Sequence, residues 1–222
     1  MIRPMNSGDV EAVVKVHLSS FPGFFLSFLG PRFLSLFYLS ICSAPEGIAF
    51  VYLNHASVPV GFVAGTSNPG GFYSSLLKRE WYKFARASII PILRKPSAIK
   101  RILRAVSHPS NNPIGDDVAG LFSIGIIPET QGVGAGRKLV TTFLISAKER
   151  GCNKAFLTTD RDDNDAVNAF YEKLGFKIIR QYVTPEGRRM NEYWISLSDE
   201  CIKTISGTLA QNITCSTELD NK

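Results

Sequence analysis

The sequence contains no CxxC pair, and none of its three histidines, His17, His55 and His108, stands at metal-ligand spacing from another ligand. Structural zinc and iron–sulfur sites need such clusters, so no metal is expected. The four cysteines, Cys42, Cys152, Cys201 and Cys215, are scattered. They read as free thiols of a reducing cytosol. No internal repeat occurs. No recognition-helix or aromatic-interleaved RNA motif is found either, so nucleic acid is not an expected partner. The N-terminus meets Asp9 and Glu11 before any apolar run develops, which argues against a secretory leader and for a cytoplasmic location. The apolar stretch from Phe21 to Ile41 is interrupted by Pro22, Gly23, Gly30, Pro31 and Arg32. A spanning helix needs about 20 mostly uninterrupted apolar residues, so two short buried helices joined at Gly30-Pro31 are expected instead.

Hydrophobic residues make up 45% of the 222 and charged residues 20%, a globular balance with enough chain for one good-sized core. The net charge of +6 is uneven. Between Lys78 and Arg104 stand nine basic residues against one acid, Glu80, a net +8 that leaves −2 for the rest. Leu77, Trp81, Phe84 and Ser88 recur at helical spacing, with Lys78, Arg79, Lys83 and Arg86 elsewhere on the helix. Pro91 is expected to kink or end it. Ser97 can cap a second short helix. The segment is either a solvated face on a packed insertion or an anion-facing surface, for a phosphorylated substrate, a cofactor tail or an anionic membrane.

Along the chain, 2–5 reads as a strand and 9–43 as helical. Residues 48–53 and 58–65 read as a hairpin, 118–127 as a strand and 137–150 as a helix. A strand at 154–159, a helix at 164–174 and a hairpin at 176–183 and 189–197 follow. This order predicts one α/β (α+β) domain over 1–198, a central mixed, largely antiparallel sheet flanked by helices. Its basic helical insertion covers about 70–115, between the third and fourth strands, and a poorly ordered tail covers 199–222.

Between the strand at 118–127 and the helix after it runs IIPETQGVGAGRK. A glycine-rich turn opening a helix is a backbone cradle for phosphate. A Walker A loop fails, because Lys138 is followed by Leu139 rather than Ser or Thr. A GxGxxG fingerprint fails in both registers, at Arg137 and at Leu139. The pattern Ile126, Pro128, Glu129, Gln131, Gly132, Gly134 and Gly136 resembles motif A of the GNAT acetyltransferase superfamily. NDAVNAFYEKLGF, from Asn164 to Phe176, resembles a second motif of that family, and the two begin 38 residues apart. The resemblance covers 1–65 and 118–197.

That resemblance implies the GNAT fold and direct transfer of an acetyl group from acetyl-CoA to a primary amine, with no metal. It implies a pyrophosphate cradle in the backbone of Gln131, Gly132, Val133, Gly134, Ala135, Gly136 and Arg137. It implies a splayed strand at Ile124, Gly125 and Ile126 for the pantetheine and thioester, with the Ile126 N–H as oxyanion donor. Tyr171 matches the family's usual acid toward the departing thiolate, against the alternative of a core tyrosine. Asn164 matches the residue that bonds the pantetheine arm or caps the helix. No base is identified. His108, Asp116, Asp117, Ser123 and Glu80 are the candidates, and none stands at a position expected of a fixed base. The +8 insertion favours a small anionic acceptor such as an amino sugar or nucleotide-linked amino sugar, a protein amine being the alternative. A non-catalytic acyl-CoA-binding module docked on an anionic membrane through 78–104 is a third reading, and a homodimer is compatible with all of them.

Overall fold

The structure, a computed structural model, describes residues 1–94, 117–203 and 205. Seven strands form one sheet: β1 (Ile2–Pro4), β2 (Gly47–Leu53), β3 (Pro59–Thr66), β4 (Val118–Ile126), β5 (Lys154–Asp160), β6 (Lys177–Val183) and β7 (Arg189–Ser196). Their order is β1-β2-β3-β4-β5-β7-β6. Every neighbouring pair is antiparallel except β4 and β5, which run parallel. Helices α1 (Val10–Ser20), α2 (Phe25–Ser43) and α3 (Pro69–Arg94) precede β4. Helices α4 (Ala135–Glu149) and α5 (Asp165–Lys173) follow β4 and β5.

Alternation along β3 sends Phe62 and Ala64 to one face of the sheet and Val63 to the other. The first face carries Val13 and Val14 of α1, Leu34, Phe37 and Tyr38 of α2, and Phe72 and Phe84 of α3. The second carries Leu139, Val140, Phe143 and Leu144 of α4, with Tyr171, Leu174 and Phe176 beside them. Each such side chain, fully buried, contributes about 1.5–3 kcal/mol.

Helix α2 breaks where expected, at Gly30, whose φ of 85° and ψ of 178° are not helical. By length and composition alone Phe25–Ser43 would pass for a membrane span. The break divides Phe25–Ser43 into pieces shorter than the required 20 residues, and Leu34, Phe37, Tyr38 and Ile41 are buried in the core.

Helix α3 departs from expectation in its course through Pro91 and in its buried stripe. It begins at Pro69, behind Asn68, whose Oδ1 accepts the Gly71 N–H at 2.9 Å, a capped start with proline in the first turn. It continues through Pro91 to Arg94. Its buried stripe is centred on Phe84, Ser88 and Pro91, while Trp81 is 62% exposed. Three residues back from Phe84, Trp81 lies about 60° round the helix, on the rim of the stripe. The second helix expected after Ser97 falls outside the described residues.

The segment after Ser198, read as a poorly ordered tail, holds a helical turn at 199–203. The Ser198 Oγ accepts the Cys201 N–H at 3.2 Å, and Ile202 packs against the α4 side of the core.

Candidate active site

The site lies where β4 and β5 part. They pair only from Val118 with Lys154 to Gly120 with Phe156. Beyond that point β4 stays with β3, and β5 stays with β7. The gap opens into a cavity of about 910 Å³. Its walls come from the α1–α2 junction, β4, the glycine-rich turn, the end of β5, α5 and Arg188.

Strand parity decides which β4 groups face the gap. The Ile127 N–H donates to the Val60 carbonyl at 3.0 Å, and Ile126 stands opposite Gly61. Backbone groups of successive residues point to opposite edges of a strand, so Ile124 and Ile126 turn theirs toward the gap. The Ile126 carbonyl accepts from Ser20 Oγ at 3.4 Å and from Gln131 Nε2 at 3.3 Å. Its N–H has no acceptor among the described residues. A carbonyl oxygen entering the gap would find that donor ready.

At the end of β4 a 3-10 turn, Pro128–Thr130, redirects the chain, and the Gln131 N–H is taken by the Pro128 carbonyl at 3.1 Å. Gly132 and Gly134 then adopt φ of 83° and 76°, left-handed values that favour glycine, with open space where a β-carbon would stand. Helix α4 opens at Ala135, and its first backbone bond runs from Lys138 N–H to Gly134 O at 3.1 Å. The amides of 132–137 therefore have no backbone acceptor among the described residues. They are gathered at a helix N-terminus that carries about half a positive charge. Arg137 lines the cavity beside them and has no ion-pair partner among the described residues. Such a group of amides is suited to an anion. It starts at Gly132, because the amide of Gln131 is already engaged.

Gly136 has a different role from the other two. A β-carbon there would lie 3.2 Å from Ile126 Cδ1 and 3.4 Å from Phe170 Cζ, so glycine lets α4 close on β4 and α5. The Val133 side chain is 59% exposed and is not among the cavity walls.

Tyr171 reaches the cavity from α5, its ring packed among Phe170, Phe176 and Tyr193. Its hydroxyl makes no hydrogen bond among the described residues. Burial raises its pKa, so the phenol keeps its proton. Asn164 stands at the start of α5 without capping it. Its Nδ2 donates instead to Thr159 Oγ1 and to the Asp160 carbonyl, both at 2.9 Å. The side chain is anchored to the β5 end and lines the cavity with its oxygen unengaged among the described residues.

A further wall comes from residues that carry no motif. His17, Ser20, Phe21, Phe24 and Phe25 bring the α1–α2 junction to the cleft. Arg188 reaches it from the last hairpin, bidentate on Asp160 at 2.9 and 2.6 Å, with its guanidinium 5.2 Å from the Phe24 ring centre. His17 is 2% exposed. Its Nδ1 lies 2.7 Å from the Tyr38 hydroxyl, while Nε2 has no hydrogen-bond partner. Burial lowers its pKa to about 4, so the ring is neutral at pH 7. In the sequence His17 is one apolar-face position of an amphipathic helix, and Phe21-Pro22-Gly23-Phe24 only a helix break. Neither signals a site.

Of the residues weighed as base, Ser123 lines the cavity. Asp117 and Glu80 do not, and Glu80 pairs with Lys83 at 3.3 Å. His108 and Asp116 fall outside the described residues. No described residue of α3 lines the cavity either. The charge that suggested an anionic acceptor is therefore not brought to the site by the described part of that segment.

A family model described as the acetyltransferase (GNAT) family matches residues 11–176. The mycothiol acetyltransferase of Paenarthrobacter aurescens is 33% identical over 69 residues, 31% of this chain and 21% of that protein. The ribosomal protein bS18-alanine N-acetyltransferase of Haemophilus influenzae is 37% identical over 79 residues, 34% of this chain and 53% of that protein. The matches thus span about a fifth to a half of these relatives' own lengths. Among solved structures, aminoglycoside 6′-acetyltransferase type Ii aligns with a TM-score of 0.59 at 14% identity, over 89% of this chain and 97% of that one. At that identity the likeness is one of fold.

Proposed function

Because this chain belongs to the GNAT acetyltransferase family, we propose that it moves an acetyl group directly from acetyl-CoA to a primary amine of a small acceptor. The carrying observation is one continuous cleft joining three parts. These are the unengaged amides of 132–137, the free Ile126 N–H on the splayed strand, and the buried, protonated Tyr171. The cradle suits a pyrophosphate, with Gly132, Val133, Gly134, Ala135, Gly136 and Arg137 donating. The splay suits the pantetheine arm, with Asn164 as a side-chain partner. The Ile126 N–H would stabilise the tetrahedral oxyanion, and Tyr171 would protonate the leaving thiolate. The described residues hold no metal-binding cluster, and the reaction needs none.

The acceptor side supports a particular kind of amine. Phe21, Phe24 and Phe25 make the lining aromatic, and the positive charge of Arg188 is offset by Asp160. Such a wall favours an amine on an uncharged body with apolar faces, a sugar ring for instance, over a strongly anionic one. A thiol-release assay with acetyl-CoA across amino sugars, nucleotide amino sugars and peptide amines tests both parts. Release with some amine and none without it is expected. Failure of acetyl-CoA to raise the melting temperature would sink the donor assignment.

A membrane-facing role of α3 is a second reading, favoured by one observation. Tyr82, Arg86, Ile89 and Leu93 share the face of α3 opposite Phe84, and Trp81, Ile90 and Lys83 flank it, all exposed. Apolar and aromatic residues beside basic ones suit the headgroup zone of an anionic bilayer. The free thiols Cys42, Cys152 and Cys201 support a cytoplasmic location.

A further inference from the structure

The proposed reaction needs a group to take a proton from the attacking nitrogen, and the cavity walls narrow the choice. Among the described residues, its titratable side chains are His17, Arg137, Asp160, Tyr171 and Arg188. A guanidinium can only donate, and burial keeps the proton on Tyr171. Asp160 gives both carboxylate oxygens to Arg188. His17 remains, with a free nitrogen. A buried polar atom without a partner costs about 1–3 kcal/mol, and Nε2 has none among the described residues.

The position of His17 fits that role. Ser20, one turn further along α1, touches the Ile126 carbonyl at 3.4 Å. A β-carbon on Gly125 would fall 2.8 Å from Phe62 Cε1 and 3.0 Å from Ser20 Oγ, so α1 lies directly over Gly125 and Ile126. The His17 ring also stacks on Phe62, with centroids 6.3 Å apart. The imidazole therefore stands on the α1 side of the strand segment proposed for the thioester, among the cavity walls.

We infer that His17 is the proton acceptor for the attacking amine, an inference that rests on the acetyltransferase reading above. The amine lone pair forms the C–N bond at the thioester carbonyl, whose electrons move onto the oxygen held by the Ile126 N–H. The proton on nitrogen passes to His17 Nε2. Collapse restores the carbonyl and breaks the C–S bond, and the thiolate takes the Tyr171 proton. The products are the N-acetyl amine and CoA thiol, and solvent returns the proton from His17 to Tyr171. This requires the tautomer in which Nδ1–H donates to the Tyr38 hydroxyl oxygen, which fixes the ring plane.

His17→Gln preserves a polar side chain of similar size, and His17→Ala leaves room for free imidazole. Both are assayed for thiol release with the best amine of the screen and for acetyl-CoA binding by calorimetry. The expected result is a fall in kcat of about 100-fold or more, unchanged acetyl-CoA affinity, and recovery of the alanine variant by millimolar imidazole. A glutamine variant within threefold of the parent would overturn the assignment. So would a loss of kcat that imidazole does not restore, or one matched by lost acetyl-CoA affinity. Failure of the parent itself to bind acetyl-CoA is a different outcome, and would remove the underlying donor reading.

Discussion

The cradle is most sharply tested at Gly134. Its φ of 76° is left-handed, yet a β-carbon there would meet no atom within 4 Å. Any L-residue therefore pays mainly the left-handed backbone cost, about 1–2 kcal/mol of stability. Gly134→Ala isolates that cost. Gly134→Asp adds a carboxylate to a concavity whose amides are free to hold an anion. At about 5 Å and an effective dielectric near 20, one unit of like charge costs about 3 kcal/mol, some two orders of magnitude in affinity. Calorimetric titration with acetyl-CoA should show the alanine variant within a few-fold of the parent and the aspartate variant weaker by about 100-fold. High salt should narrow the gap, because the mouth is open to solvent screening. If the aspartate variant binds as well as the alanine variant, the pyrophosphate is not at 132–137 and the orientation of the ligand in the cleft is wrong.

Tyr171→Phe should lower kcat by about 100-fold with acetyl-CoA affinity nearly unchanged, read by the same titration and the thiol assay; unchanged turnover would remove Tyr171 as the acid. His17 also makes stability pH-dependent. Its folded pKa is about 4 against an ordinary 6.5, so the unfolded chain binds the extra proton between those values and stability falls as pH drops through that window. Denaturant melts at pH 7 and pH 4 should show the parent losing about 3 kcal/mol more than His17→Gln; equal losses would mean the ring is not buried neutral. For the α3 face, sedimentation with phosphatidylglycerol vesicles should carry the protein down at low salt and not with phosphatidylcholine alone. Ile89→Asp should release it, and indifference to both lipid charge and that substitution would end the membrane reading.

Some of this molecule was legible in its residues. The failed registers at Arg137 and Leu139 excluded the nucleotide folds, and Gly30-Pro31 marked the break in α2. The glycine-rich turn, Ile126 and Tyr171, which share the cleft, fell at motif positions, because backbone donors, a strand end and a helix N-terminus are set by residues adjacent in the chain. Local pattern also misled. Gly136 reads like Gly132 and Gly134, but its φ is not left-handed and its constraint is the approach of Ile126 and Phe170. Asn164 has the composition of a cap, yet its amide is drawn to Thr159 and Asp160.

What the chain order could not contain is which distant residues share the cleft. Asp160 and Arg188 are 28 positions apart, and Ser20 and Ile126 are 106 apart. Only the sheet order, which sets β4 beside β5 and then lets them part, brings α1 and the last hairpin to the same opening. The charge of 78–104 is a property of the sequence, but where it points is a property of packing. Phe84 and Ser88 turn one face of α3 into the core, and that leaves Tyr82, Arg86 and Leu93 facing outward.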